Sequence, residues 1–250
     1  MTTIDDLWDD PRRDYRQRYQ LPDQFLWDKA AWPRIDFDGY TKMAFDMLPS
    51  PPLHVLDVGC GPGAGSARLI DRGYQVTGVD YNDRAVAFAG IMADGGRFVR
   101  GDIRALAQVE GLDATGEGFD AAVCIEVLEH VPPEFRGMVF EGVASMLRPG
   151  GVFVMTTPTP AMSFNAWDYP RPSSHDLEEL LRQAGFTELE TRFQHRLGTA
   201  FDPRIWRLIS NRWFDLRFAR HAIRRRFLSS WNTVDVGTRA GRTVIAARRS

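Results

Sequence analysis

Short apolar runs recur along this chain, and most are followed by a stretch with apolar residues at helical spacing. Strands are predicted at 53–58, 75–80, 97–101, 119–124, 151–157, 187–194 and 241–248. Helices are predicted at about 63–72, 83–93, 134–147 and 174–184, with Ser173 or Ser174 capping the last of these. A further helix from about Asp38 to Leu48 is stopped by Pro49, Pro51 and Pro52. Arg148, Pro149, Gly150 and Gly151 form a helix stop and turn before the fifth strand. Strand alternating with helix predicts the α/β class, a parallel sheet with helices on both faces.

The pattern is consistent with one domain over residues 1–250, with the alternating core at 51–194. Residues 1–50 are aromatic-rich (Trp8, Tyr15, Tyr19, Trp27 and Trp32 among others) and broken by proline at 11, 22 and 33. They read either as a lid over a ligand or as aromatics packed on the outer face. Residues 195–240 are an insertion in which apolar positions from Ile205 to Phe218 have near-helical spacing among many arginines. A helix packed on the sheet edge, a peripheral membrane contact through 203–228 and a dimer contact are all compatible with it. Residues 241–250 hold the last strand.

Composition changes this picture little. Hydrophobic content of 44% and charged content of 26% are those of an ordinary globule, and a net charge of −2 provides no bulk attraction to nucleic acid. No apolar run approaches a membrane span, and the acidic amino terminus is not a secretory signal. Cys60 and Cys124 are expected to be buried thiols, in keeping with a reducing cytoplasm.

The chemistry concentrates at residues 53–65, LHVLDVGCGPGAG, where an apolar strand ends in an acid and runs into a glycine-dense turn. Glycine there permits positive φ and close approach of backbone to a ligand. No GxxxxGK[ST] phosphate loop is present, and the GxGxxG dinucleotide pattern is met only loosely. Asp57 precedes the first glycine, Asp80 ends the second strand, Asp102 follows the third and Glu126 ends the fourth. A rim of acids would repel a pyrophosphate and attract a cation bearing hydroxyl and amine donors, which describes S-adenosylmethionine.

At these residues the chain resembles the class I S-adenosylmethionine-dependent methyltransferases. The matching pieces are LDVGCGPG (56–63), VTGVD (76–80), FVRGD (98–102), FDAAVCIEVLEHV (119–131) and LRPGGVFVMTTP (147–158). The resemblance implies a doubly wound, mostly parallel seven-stranded sheet, Rossmann-like, whose last strand is antiparallel and inserted beside the sixth. It also implies roles. Gly59, Gly61 and Gly63 would carry the loop beneath the methionyl part, with Asp57 facing its amino group. Asp80 would accept from the ribose hydroxyls, and Tyr81 would stack on adenine. Asp102 would accept from the adenine amine, with Ile103 as an apolar wall, and Glu126 would complete the cofactor site.

IEVLEHV (125–131) carries the remaining chemistry. If it turns helical, Glu126, Glu129 and His130 share one face at i, i+3 and i+4. Such a set is suited to a divalent cation such as Mg²⁺, as in the similar ubiquinone-pathway O-methyltransferases, or to a general base, His130, flanked by carboxylates. A purely structural role is the third reading. The expected function is methyl transfer from S-adenosylmethionine to an oxygen of a small-molecule acceptor, with His130 and Glu126 as the catalytic candidates. An N-methyltransferase and an NAD-type oxidoreductase are the alternatives. Acceptor identity and oligomeric state are not legible.

Overall fold

The computed structural model describes residues 35–112, 116–162, 168–196 and 240–250. The aromatic segment up to residue 34 and the arginine-rich segment 197–239 lie outside the described residues, and with them the lid, membrane-contact and dimer readings. Seven strands form one sheet: β1 (His54–Val58), β2 (Gln75–Asp80), β3 (Arg97–Arg100), β4 (Phe119–Ile125), β5 (Leu147–Pro158), β6 (Phe186–Arg196) and β7 (Ala240–Arg249). Five α-helices are described: α1 (Ile35–Asp46), α2 (Ala64–Asp71), α3 (Asp83–Met92), α4 (Arg136–Met146) and α5 (Ser174–Gln183).

The strand order is β3-β2-β1-β4-β5-β7-β6. Pairing is parallel from β3 to β5, with Asp57 opposite both Gly78 of β2 and Val123 of β4. β7 is antiparallel to both β5 and β6, inserted between them as the resemblance implied. Strand order reverses between β1 and β4, so a crevice opens beyond their carboxyl ends, where open α/β sheets bind ligands.

Alternation along β1 divides the core in two. Val55 packs with Phe45, Leu69 and Val76 on one face, while Leu56 and Val58 pack with Phe140, Phe153 and Leu177 on the other. Helix starts follow local chemistry. Asn82 Oδ1 accepts from the N–H groups of Arg84 and Ala85 to open α3. Ser173 and Asp176 form a reciprocal capping box at α5, which leaves His175 in that helix's first turn.

Three element bounds differ from expectation. The 148–151 turn lies within β5, because Leu147 pairs with Phe119 before a register shift carries Val152 opposite Ala121. Helix α4 begins at Arg136, after a 3₁₀ turn at Pro133–Phe135. β6 extends to Arg196, so the insertion begins two residues later than the hydrophobic pattern indicated. Cys60 and Cys124 are buried and unpaired, and no helix among the described residues is long and apolar enough to cross a membrane.

Candidate active site

The glycine turn is laid across the end of β2. Gly59 and Cys60 both donate to the Val79 carbonyl, at 2.8 and 3.0 Å. Gly61 N–H donates to Asp80 Oδ2 at 2.9 Å, and Asn82 N–H donates to Asp80 Oδ1 at 2.9 Å. Asp80 is thus buried against its own turn. Burial pushes its pKa up, and the backbone donors of Asn82, Gly61 and Tyr81 oppose that shift. These three backbone donors take up three of the carboxylate's roughly four acceptor sites, which leaves one for a ligand hydroxyl.

Two of the glycines are required by packing within the protein. Gly59 has φ +72°, and a Cβ there would meet Val127 Cγ2 at 2.6 Å. Gly63 has φ +84°, and a Cβ would meet the Ala89 backbone of α3 at 2.8 Å. The close approach that the sequence suggested for a ligand is made, at these two positions, by neighbouring elements. Gly61 also lies at positive φ, 51°.

Asp57 is buried at the end of β1, and Ser66 Oγ donates to its Oδ2 at 2.6 Å. This bond ties β1 to the start of α2. Burial raises the Asp57 pKa to about 6, against the Ser66 hydrogen bond and with a smaller push from Asp80. Two carboxylates held together in one crevice suit a ligand that brings positive charge and hydrogen-bond donors.

Beyond β3, Asp102 caps a 3₁₀ segment, Ile103–Gln108, by accepting from Arg104 N–H at 2.9 Å. Arg104 also closes a fork on it, with Nε 2.9 Å and Nη2 2.6 Å from Oδ2, and its guanidinium lies over the Phe135 ring at 5.0 Å. Ile103 is half-buried against the larger core. Tyr81 is half-buried, and its carbonyl accepts from Arg100 Nε at 3.1 Å.

Past β4 the chain does not continue as an α-helix. Glu126 takes φ +57°, a region costly for a residue with a Cβ, and residues Leu128–His130 form a single 3₁₀ turn before Pro132 and Pro133. The condition for Glu126, Glu129 and His130 to share one helical face is therefore not met. Thr156 Oγ1 donates to Glu126 Oε1 at 2.9 Å, and Arg242 Nε donates to Oε2 at 2.8 Å. Glu129 is buried, with Oε2 lacking a hydrogen-bond partner. Burial, then the Glu126 charge, holds its pKa well above the usual carboxylate range. His130 turns to Asp168 instead, Nδ1 to Oδ1 at 3.6 Å.

These positions do not suit a Mg²⁺ ion. Both oxygens of Glu126 are engaged by protein donors, one of them cationic, and no group of three His, Cys, Asp or Glu side chains among the described residues could hold a metal. The three side chains are neighbours, yet their donor atoms are directed to Arg242, Asp168 and the interior.

Ser66, Asp168 and Arg242 escaped the sequence reading. Ser66 alone had a local signal, a hydroxyl one helical turn into the helix after Asp57. Arg242 lies opposite Pro158 at the end of β5, a placement only the sheet register reveals.

The fold and this crevice define a class, the Rossmann-like proteins that bind an adenosyl cofactor at the reversal of a mostly parallel sheet. Residues 34–191 match the family described as "Methyltransferase domain", and the chain belongs to it. The oxidoreductase alternative falls with that membership. Ubiquinone biosynthesis O-methyltransferase of Rhizobium johnstonii is 32% identical over 205 residues, 76% of this chain and 75% of that protein. The protein of the same name from Idiomarina loihiensis is 38% identical over 104 residues, 41% of each chain. That from Leptothrix cholodnii is 30% identical over 152 residues, 60% of this chain and 57% of that one. The match to the last two spans about half of their length. Among solved structures, a SAM-dependent methyltransferase from Archaeoglobus fulgidus superposes with a TM-score of 0.61 at 17% identity, over 90% of this chain and 99% of that one. Phosphoethanolamine N-methyltransferase 2 of Haemonchus contortus, in complex with S-adenosyl-L-methionine, gives 0.63 at 15% identity, over 100% of this chain and 60% of that one. These two likenesses show the fold.

Proposed function

We propose that the chain methylates an oxygen of a small hydroxylated acceptor, using S-adenosylmethionine, with His130 as the general base and Glu126 shaping the site between cofactor and acceptor. S-adenosylmethionine supplies an electrophilic methyl carbon on a sulfonium. Asp80 accepts from a ribose hydroxyl, Asp57 and the Gly59–Gly63 turn hold the methionyl end, and Tyr81, Asp102 and Ile103 frame the adenine. Arg104 already contacts each Asp102 oxygen twice, so the adenine amine would take the place of one of those contacts. His130 takes the proton that the acceptor hydroxyl loses as its oxygen bonds to the methyl carbon.

One observation carries the reading: buried Asp57 and Asp80 flank the Gly59–Gly63 turn at the sheet's reversal point, on a chain of the methyltransferase-domain family. The names of the Rhizobium and Idiomarina relatives support oxygen as the acceptor atom. A cytoplasmic location belongs to the same proposal and rests on the two unpaired buried thiols.

Calorimetric titration with S-adenosylhomocysteine and, separately, NADH tests the cofactor. Transfer of radiolabelled methyl to catechols, phenols, sugars and amines tests the acceptor. Binding of the first compound alone and label on a hydroxyl is the expected result. Label confined to amines would overturn the oxygen assignment, and undiminished turnover in H130Q would remove His130 from the chemistry.

A further inference from the structure

Residue 168 lies far from the glycine loop in sequence and in no recognisable motif, yet the fold brings its carboxylate to the imidazole of His130. Tyr169 N–H donates to the Glu129 carbonyl at 2.8 Å, docking residues 168–169 against the turn that presents His130. Arg136 joins the same two segments, with Nε donating to the Leu128 carbonyl at 3.3 Å and Nη2 to the Pro170 carbonyl at 2.7 Å. Asp168 itself is held from the far side. Its Oδ2 accepts from Arg171, and Arg171 Nη1 donates to the Met162 carbonyl at 2.6 Å. The Asp168 and Arg171 side chains are each 1% exposed, whereas His130 is 30% exposed. The carboxylate is thus a fixed element of the interior, and the imidazole beside it is partly exposed.

We propose that Asp168 is a positioning residue for His130: it holds the proton of the neutral imidazole on Nδ1 and leaves Nε2 as the basic nitrogen. The inference deepens, and rests on, the reading of His130 as the base. A carboxylate is only an acceptor, so the ring nitrogen that faces it carries the hydrogen. The 3.6 Å separation exceeds a hydrogen bond, and contacts of this type tighten when a catalytic site fills. Other charges pack around the pair: Glu129 on the same turn, Glu126 after β4, Arg242 from β7, and Arg136 and Arg171 from the segments just described. Replacing Asp168 therefore changes several electrostatic interactions at once, whereas the imidazole tautomer reports directly on which ring nitrogen carries the proton beside the carboxylate.

The full chain, labelled with ¹⁵N at histidine and saturated with S-adenosylhomocysteine, is studied by NMR, with His130 assigned from its loss in H130Q. In the wild-type protein the neutral ring is expected as the Nδ1–H form. In D168N the order should invert. Arg171 has only donors and takes the amide oxygen, so the amide NH₂ faces Nδ1 and the ring proton moves to Nε2. D168E should return it to Nδ1. An unchanged tautomer in folded D168N overturns the proposal. So does an Nε2–H ring in the wild-type protein, a measurement that decides the matter even if D168N does not fold. Failure of the parent reading looks different: H130Q would methylate hydroxyl acceptors at the wild-type rate whatever the tautomer.

Discussion

Glu126 and Arg242 lie 116 positions apart in the chain, and Arg242 Nε donates to Glu126 Oε2 at 2.8 Å. The pair closes the carboxyl end of β4 onto the start of β7, with side chains 16% and 9% exposed respectively. Glu126 also carries the positive φ noted above, so its backbone strain and its ion pair occur at the same residue. The strand inserted between β5 and β6 thus also fixes the acid that follows β4.

Arg242→Met should therefore destabilise the protein strongly, because it leaves the Glu126 charge in a poorly solvated place with only Thr156 as a donor. Breaking one side of a buried pair costs on the order of 3 kcal/mol, a loss that urea denaturation would register. The double variant E126Q/R242M should recover part of it. A loss below about 0.5 kcal/mol, the range of ordinary surface substitutions, would mean that the pair is solvated and dispensable.

Gly59→Ala tests whether the glycine turn is shaped by the protein or by its ligand. Alanine at φ +72° with its Cβ 2.6 Å from Val127 Cγ2 must displace the segment after β4. The backbone term alone is about 1–2 kcal/mol. G59A/V127A should recover the steric part and not the backbone part. If G59A is as stable as the wild type and only cofactor affinity falls, the turn is shaped for the ligand and the Val127 contact is incidental.

What could be read from the sequence and what could not divide along physical lines. The acids at 57, 80, 102 and 126 were legible because an apolar run, its end and the following turn are contiguous in sequence. The Ser173 cap was legible for the same reason, since a capping box spans four residues. The sequence leaves open whether Glu126, Glu129 and His130 share a helical face. Their i, i+3, i+4 spacing is met equally by a chain that turns at Glu126, whose side chain contacts Thr156 and Arg242 far along the sequence. Arg242 was invisible because its partner is set by the register of an antiparallel insertion. Asp168 was invisible because its position depends on how the chain after β5 folds back onto the His130 turn.

Asp80→Asn should weaken S-adenosylhomocysteine binding about 10-fold or more, corresponding to the roughly 1–3 kcal/mol for a buried polar partner left unmatched. The asparagine retains one acceptor for Gly61 or Asn82 and introduces a donor where a ribose hydroxyl needs an acceptor. Calorimetry provides the measurement, with thermal unfolding as the control for the loss of the Gly61 contact. Affinity equal to the wild type would end the ribose assignment.

Asp57 makes stability depend on acidity in a defined direction. Its folded pKa of about 6 lies above the ordinary 3.8, so the folded state binds the proton more tightly than the unfolded chain does. The contribution is fully present below about pH 4 and is lost as pH rises through 6. Two units correspond to roughly 3 kcal/mol, which is then the cost of keeping Asp57 ionised inside the protein at neutral pH. Asp57→Asn retains an oxygen for Ser66 and removes that cost. The variant should be more stable than the wild type at pH 7, equal or less stable at pH 4, and poorer at binding S-adenosylhomocysteine, whose amino group loses its anion. Urea denaturation of both proteins at the two pH values decides the point: a stability difference that does not change between pH 4 and pH 7 would show that Asp57 titrates as an ordinary carboxylate.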